Sequence, residues 1–186
     1  MIPFPDRKYQ LIYADPPWSY QNSGFDYSAA KQYQTMSTED ICSLNINNIA
    51  DENCALFIWG TWPLLPDCLC VIKNWGFVYK TLGFIWLKTK ENTNQISFLP
   101  RDILSETPGM GFWTMSNTEY CLIGTRGSLR RNKPGIRQVI YSRLREHSRK
   151  PDETRLRIVE LMGNLPRIEL FARQRTDGWD AWGNEI

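Results

Sequence analysis

The sequence predicts an α/β fold: an open, mostly parallel, doubly wound sheet flanked by helices. Three observations point there. Apolar runs of strand length recur along the 186 residues, helical patterns lie between several of them, and most of the runs lack in–out alternation. A strand that is apolar throughout is buried on both faces, as in a parallel sheet covered by helices. The length fits one domain, taken as residues 1–186.

The elements follow in order. "QLIYA" reads as the first strand, stopped by Pro16 and Pro17, which cannot donate to a sheet ladder. "MSTEDICSL" reads as a helix with Ser37 as its cap and Asp40 three residues on, a pattern close to a capping box. "CALFIW" is a second strand. "PLLPDCLCVIKNWG" is a helix with prolines in its first turn and Gly76 at its end. "LGFIWLK", "YCLIG" and "QVIY" are further strands, and the polar stretch from Lys88 to Thr118 between the first two reads as a functional loop. "PDETRLRIVELMGN" is a helix with Asp152 and Glu153 in its first turn and Gly163 at its end, and "RIELFA" is a late strand. Pro151 as the first helical residue puts Lys150 at the cap, where Ser or Asp would serve better.

Composition narrows the function classes. Hydrophobic residues make up 42% of the chain and charged ones 23%, and no apolar run reaches membrane-span length, so a soluble protein is expected. "MIPFPDRKYQ" lacks the pattern of a secretory signal, which predicts the cytoplasm or nucleus. Five cysteines, an odd number, fit a reducing compartment; with a single histidine, His147, no zinc-site spacing exists and no metal is expected. The net charge is only +2, yet from Arg126 to Lys150 the one acidic residue is Glu146. That stretch, with Arg130 and Arg131, is either a phosphate-facing surface or a solvated loop.

The most informative segment is "ADPPW" at the end of the first strand, where ligands bind in open α/β sheets. Two prolines make a stiff corner that presents carbonyl acceptors without N–H donors, flanked by Asp15 and Trp18. This set suits an exocyclic amine of a nucleobase, whose lone pair is delocalised into the ring. If a carboxylate and a proline carbonyl accept its two N–H bonds, the nitrogen pyramidalises and its lone pair becomes available. The carboxylate interaction then strengthens as positive charge develops, which favours the transition state. Trp18 would stack on the base, worth roughly 1–3 kcal/mol.

With "ADPPW", "YQTMSTEDI", "LFIWGTWPLL", "GFIWLKT", "GMGFWTMSNTEYCLIGTRG", "REHSRKPDE" and "IELFARQRTDGWDAWGNE" in this order, the chain resembles the MT-A family of S-adenosylmethionine-dependent adenine N6-methyltransferases. Its wording is most similar to the short bacterial and phage members. The resemblance implies a Rossmann-like methyltransferase of the circularly permuted β class, with the catalytic strand first and the cofactor-binding strand late. It places the catalytic tetrad on Asp15, Pro16, Pro17 and Trp18. Cofactor contacts fall on Asp15, Lys150, Glu169, Phe171, Arg173, Arg175, Asn184 and Glu185, with Lys150 near the cofactor's carboxylate. Tyr33, Trp113 and Glu119 are implied to line the acceptor pocket, with Arg130 and Arg131 in the basic stretch. The expected reaction is methylation of the N6 amine of a flipped or single-stranded adenine in DNA, by a monomer or homodimer. RNA as substrate, cytosine N4 as acceptor, and a non-catalytic nucleic-acid-binding or scaffold role are the alternatives.

Overall fold

The punctuation read from the sequence sets the elements. In the computed structural model, which describes residues 2–19, 35–89, 113–114, 116–146 and 149–186, strand β1 (Tyr9–Ala14) stops one residue short of Asp15. Helix α1 (Thr38–Ser43) is capped by Ser37, whose hydroxyl accepts from the Asp40 N–H at 3.0 Å and bonds the Asp40 carboxylate at 2.9 Å. Strand β2 (Ala50–Gly60) leads through a short 3-10 turn into α2 (Leu65–Asn74), with Pro66 in the first turn. Gly76 follows with φ 81°, the left-handed conformation that a side chain would disfavour there. Strands β3 (Val78–Thr89), β4 (Thr118–Arg126) and β5 (Val139–Arg143) precede helix α3 (Asp152–Met162), then β6 (Arg167–Leu170) and β7 (Asp180–Trp182). The three-residue β7 is too short to have left a periodic signal in the sequence.

The seven strands lie in the order β5-β3-β4-β2-β1-β6-β7. β1 pairs in parallel with β2 and β6, β6 with β7, and β3 with β5; β4 runs antiparallel to both its neighbours. The expected open, mostly parallel sheet is thus present, with β4 reversed. Alternate residues of the central strands feed two cores, which explains the unbroken apolar runs. Ile12, Leu56 and Ile58 pack beneath α1 and α2 with Val71, Ile72 and Trp75. Leu11, Tyr13, Phe57, Trp59 and Trp86 pack beneath α3 with Ile158. Each such full burial is worth about 1.5–3 kcal/mol.

The edge strand β5 is blunted rather than left open. The Gln138 carbonyl accepts from Ile85 on the paired side, so the Arg137 and Val139 carbonyls face outward, and Arg157 of α3 donates to both, at 2.5 and 2.8 Å.

The topology fixes where a ligand would sit. From β1 the chain first builds the sheet to one side, through β2, and returns late to the other side with β6. β1 is therefore the switch point, and the crevice beyond its carboxyl end is the ligand position of this architecture. Among the described residues no helix is long and apolar enough to cross a membrane.

Candidate active site

Asp15, Pro16, Pro17 and Trp18 lie at that switch point. The corner is held by its own backbone: the Trp18 N–H donates to the Pro16 carbonyl at 2.9 Å, and the Met36 N–H to the Pro17 carbonyl at 2.8 Å. Each proline carbonyl thus accepts one backbone bond, and a carbonyl oxygen can accept a second. Trp18 is packed inward. Its ring is 7% exposed within the α1–α2 core, and its indole N–H donates to the Trp59 carbonyl at 3.0 Å. The indole is part of the wall that shapes the corner, because burying a large aromatic outweighs leaving it as an open platform.

Around Asp15 the strands and the approach to α3 converge on a chain of alternating charges. Lys150 Nζ lies 2.9 Å from Asp15 Oδ1 and 3.1 Å from Glu119 Oε2, while Lys88 Nζ lies 2.6 Å from Glu119 Oε1. Lys150 and Glu119 are only 10% and 7% exposed. Lys150 also faces the Trp59 ring at 5.8 Å, and Lys88 the Trp86 ring at 5.2 Å. Burial alone would raise the Glu119 carboxyl, but Lys150 and Lys88 outweigh it and hold it below its ordinary value. Burial would likewise lower the Lys150 ammonium, and Asp15 and Glu119 more than reverse that. Both groups are charged at neutral pH. The structure also corrects the helix start: Pro151, in extended conformation, is the cap of α3, and Lys150 stands one residue before it with its side chain turned inward.

The residues after β6 divide. Phe171 has φ 58°, an uncommon left-handed conformation for a residue with a side chain, and meets Trp182 edge-on at 5.6 Å. Beyond β7, Gly183 passes so close to the Ala172 backbone that a Cβ would stand 2.7 Å from its nitrogen. That contact brings Asn184 and Glu185 beside Arg173, whose Nε is 3.9 Å from Glu185 Oε1. These residues share the carboxyl rim of the sheet with Asp15. Glu169 does not open onto the rim. It is 7% exposed, and Arg155 of α3 occupies both its oxygens, at 2.8 and 2.7 Å. Arg175 lies elsewhere, in a cleft of about 400 Å³ lined by Pro5, Arg7, Tyr9 and Asp180 at the amino end of β1 and β7.

Arg130 and Arg131 are also far from the corner. They follow Arg126, which pairs with Cys54 at the start of β2, whereas Asp15 follows Ala14, which pairs with Ile58. Asn132 donates to the Leu161 carbonyl near the end of α3, which fixes this segment at the amino side. Roughly 13 Å of strand separates these two pairs, and Arg130 and Arg131 lie beyond the first of them. Trp113 is 98% exposed, and Tyr33, His147 and the bulk of the predicted Lys88–Thr118 loop lie outside the described residues. Among the described residues no group of three or more His, Cys, Asp or Glu side chains is placed to hold a metal, and all five cysteines are free.

Three contributors went unread in the sequence. Lys88 closes the apolar run "LGFIWLK", and a lysine ending a buried strand is a signal. Arg155 stands three residues before Ile158 and seven before Met162, on the buried stripe of α3. Trp62, 43% exposed on the same rim, is pinned by its indole N–H to the Thr118 hydroxyl at 2.9 Å.

A mostly parallel sheet with a charged corner at its switch point defines the class: a Rossmann-like methyltransferase fold. The family model described as MT-A70 matches residues 9–185, and the chain belongs to the MT-A70 family of N6-adenine methyltransferases. It is 33% identical to the "Type II methyltransferase M.MunI" of Mycoplasma sp, over 98% of this chain and 79% of that protein. It is 30% identical to the human "N(6)-adenosine-methyltransferase catalytic subunit METTL3", over 96% of this chain and 28% of that protein. An Arabidopsis thaliana "N(6)-adenosine-methyltransferase MT-A70-like" is 29% identical, over 95% of this chain and 23% of that protein. The chain thus spans about a quarter of the length of these two eukaryotic relatives. Methyltransferases of this family generally use S-adenosylmethionine.

Proposed function

We propose that this chain transfers the methyl group of S-adenosylmethionine to the N6 amine of adenine in DNA. The observation that carries the reading is the Asp15 carboxylate at the end of β1, 2.9 Å from the largely buried Lys150 ammonium and followed in the chain by two prolines without N–H groups. The donor set fits the cofactor: Lys150 for its carboxylate, Asp15 for its cationic end, and Phe171, Arg173, Asn184 and Glu185 along the rim of the same crevice. Glu169 is a further expected contact; Arg155 holds each of its oxygens with one bond, and a carboxylate oxygen can accept a second. When bound, the cofactor supplies a sulfonium methyl as electrophile.

The chain's own residues then do the rest. Asp15 accepts one N6–H bond and a proline carbonyl the other, which turns the amine's lone pair out of the ring plane. The carboxylate's hold on the nitrogen strengthens as charge builds there, so its stabilisation is greatest at the transition state. Held between Asp15 and Glu119, Lys150 is the cation placed at the corner to meet the cofactor carboxylate.

The likeness to the type II methyltransferase extends over most of that protein's length and favours DNA; the printed names of the eukaryotic relatives favour adenosine, and hence RNA. Incubation with methyl-labelled S-adenosylmethionine and matched single-stranded DNA, duplex DNA and RNA, read by nucleoside mass spectrometry, decides between them. N6-methyldeoxyadenosine is expected. Label only in RNA overturns the substrate, and no label together with no cofactor binding by calorimetry leaves a scaffold.

A further inference from the structure

The methyltransferase reading uses Asp15 and Lys150 and leaves a second, half-buried lysine without a task. Lys88, at the end of β3, is 17% exposed and sits 2.6 Å from Glu119 Oε1, on the far side of that carboxylate from Lys150. β3 and β4 fix this approach, since Trp86 pairs with Glu119 and the Lys88 N–H donates to the Asn117 carbonyl at 2.9 Å. Among the described residues, the charged groups at the site are Asp15 just after β1, Lys88 from β3, Glu119 from β4 and Lys150 from the approach to α3. The weakly acidic Tyr13 and Cys121, both fully buried nearby, are held neutral by burial.

Each carboxylate oxygen of Glu119 has its own lysine, which is the observation that assigns Lys88 a role. With Lys88 at Oε1 and Lys150 at Oε2, Glu119 is held from both sides, and Lys150 reaches from it to Asp15. Removing Lys88 would take away one of the two ammonium groups that hold the buried Glu119 carboxylate ionised, so Glu119 would take up a proton at higher pH.

We propose that Lys88 is a positioning residue for the reaction: by holding one oxygen of Glu119 it keeps that carboxylate ionised and turned so that Lys150 stays seated at Asp15. This rests on the methyl-transfer reading of the corner. Lys88 touches neither reactant and acts through Glu119.

The test compares Lys88→Met and Lys88→Arg with the unsubstituted chain in two measurements. One is kcat/KM for methyl transfer against pH. The other, on the ligand-free protein, is the titration of the Glu119 carboxyl followed by carbon NMR. Lys88→Met is expected to move the Glu119 midpoint and the acid limb of the rate profile upward together, by about one to three pH units, and Lys88→Arg to restore both. In a Glu119→Gln background, Lys88→Met is expected to leave the acid limb unmoved. An unchanged Glu119 titration in Lys88→Met overturns the inference, as does a moved titration with an unmoved acid limb. If the unsubstituted chain transfers no methyl group, the reading of the corner fails by itself, and the ligand-free titration still decides whether Lys88 sets the ionisation of Glu119.

Discussion

Two buried charge clusters lie beneath the α3 side of the sheet, and they are built in different ways. Under α3, Arg155 grips Glu169 with two parallel bonds and extends a third to Asp152 at 2.8 Å, its guanidinium 5.5 Å from the Tyr13 ring. At the mouth of the sheet, Lys150 is shared between Asp15 and Glu119, and Glu119 between Lys150 and Lys88. The first is a closed fork in which the planar guanidinium matches a carboxylate and neither Glu169 oxygen is left over. In the second, compact ammonium groups are divided among carboxylates at single-bond contacts. A closed fork holds elements together, here α3 to β6, whereas an ammonium placed between two carboxylates at the mouth of the crevice is a cation within reach of an incoming anion. The difference separates structural charge from chemical charge within one face of one sheet.

Substitutions at the two clusters should break that comparison if it is mistaken. The largest effect is expected at Asp15. Asp15→Ala should abolish methyl transfer while cofactor affinity stays within about tenfold, roughly 1.4 kcal/mol, by calorimetry. Near-normal turnover would remove Asp15 from the chemistry. At the closed fork the loss should appear in stability instead. Arg155→Met leaves the Glu169 carboxylate buried without a partner and should cost about 3–5 kcal/mol in denaturant unfolding, much of it regained when Glu169→Leu is added. An Arg155→Met protein that unfolds normally but no longer binds cofactor would move this fork into the cofactor site.

The contrast also explains what the sequence did and did not disclose. The position of the Asp15, Pro16 and Pro17 corner at the end of β1 was legible because prolines end a strand by covalent geometry, whereas the inward packing of Trp18 was not. Lys150 was legible through the family resemblance, but its inward turn was not, since the cap of α3 fell on Pro151. Glu169 shows the limit more sharply. A glutamate in a late strand carries the same letter whether it faces a crevice or an arginine, and only packing α3 onto β6 brings Arg155 to it. The place of Arg130 and Arg131 was hidden for a related reason. A basic run in the sequence has no direction, and the antiparallel course of β4 carried it to the opposite end of the sheet.

Acid titration sharpens the comparison with a smaller effect. The Glu119 carboxyl is held below its ordinary value of 4.5, so its contribution to stability is fully present above that pH and is lost as pH falls through the lower folded value. Unfolding free energy should therefore decline with acid below about pH 4.5. Glu119→Gln should flatten part of that decline. A slope unchanged by Glu119→Gln would mean that Lys88 and Lys150 do not stabilise this carboxylate in solution.

The smallest effect is expected at the far end. Arg130 and Arg131 are exposed and lie beyond roughly 13 Å of strand from Asp15, and neighbouring Lys133 is paired with Glu160 of α3. Alanine at both arginines should change unfolding free energy by no more than about 0.5 kcal/mol each, as for most surface positions. On an oligonucleotide too short to span the sheet, the pair should leave kcat/KM within about twofold; on a longer one, any loss should appear in KM and fade with added salt, because it could come only from phosphate contacts. A fall in kcat on the short substrate would place these arginines at the chemistry and undo the division between the two ends of the sheet.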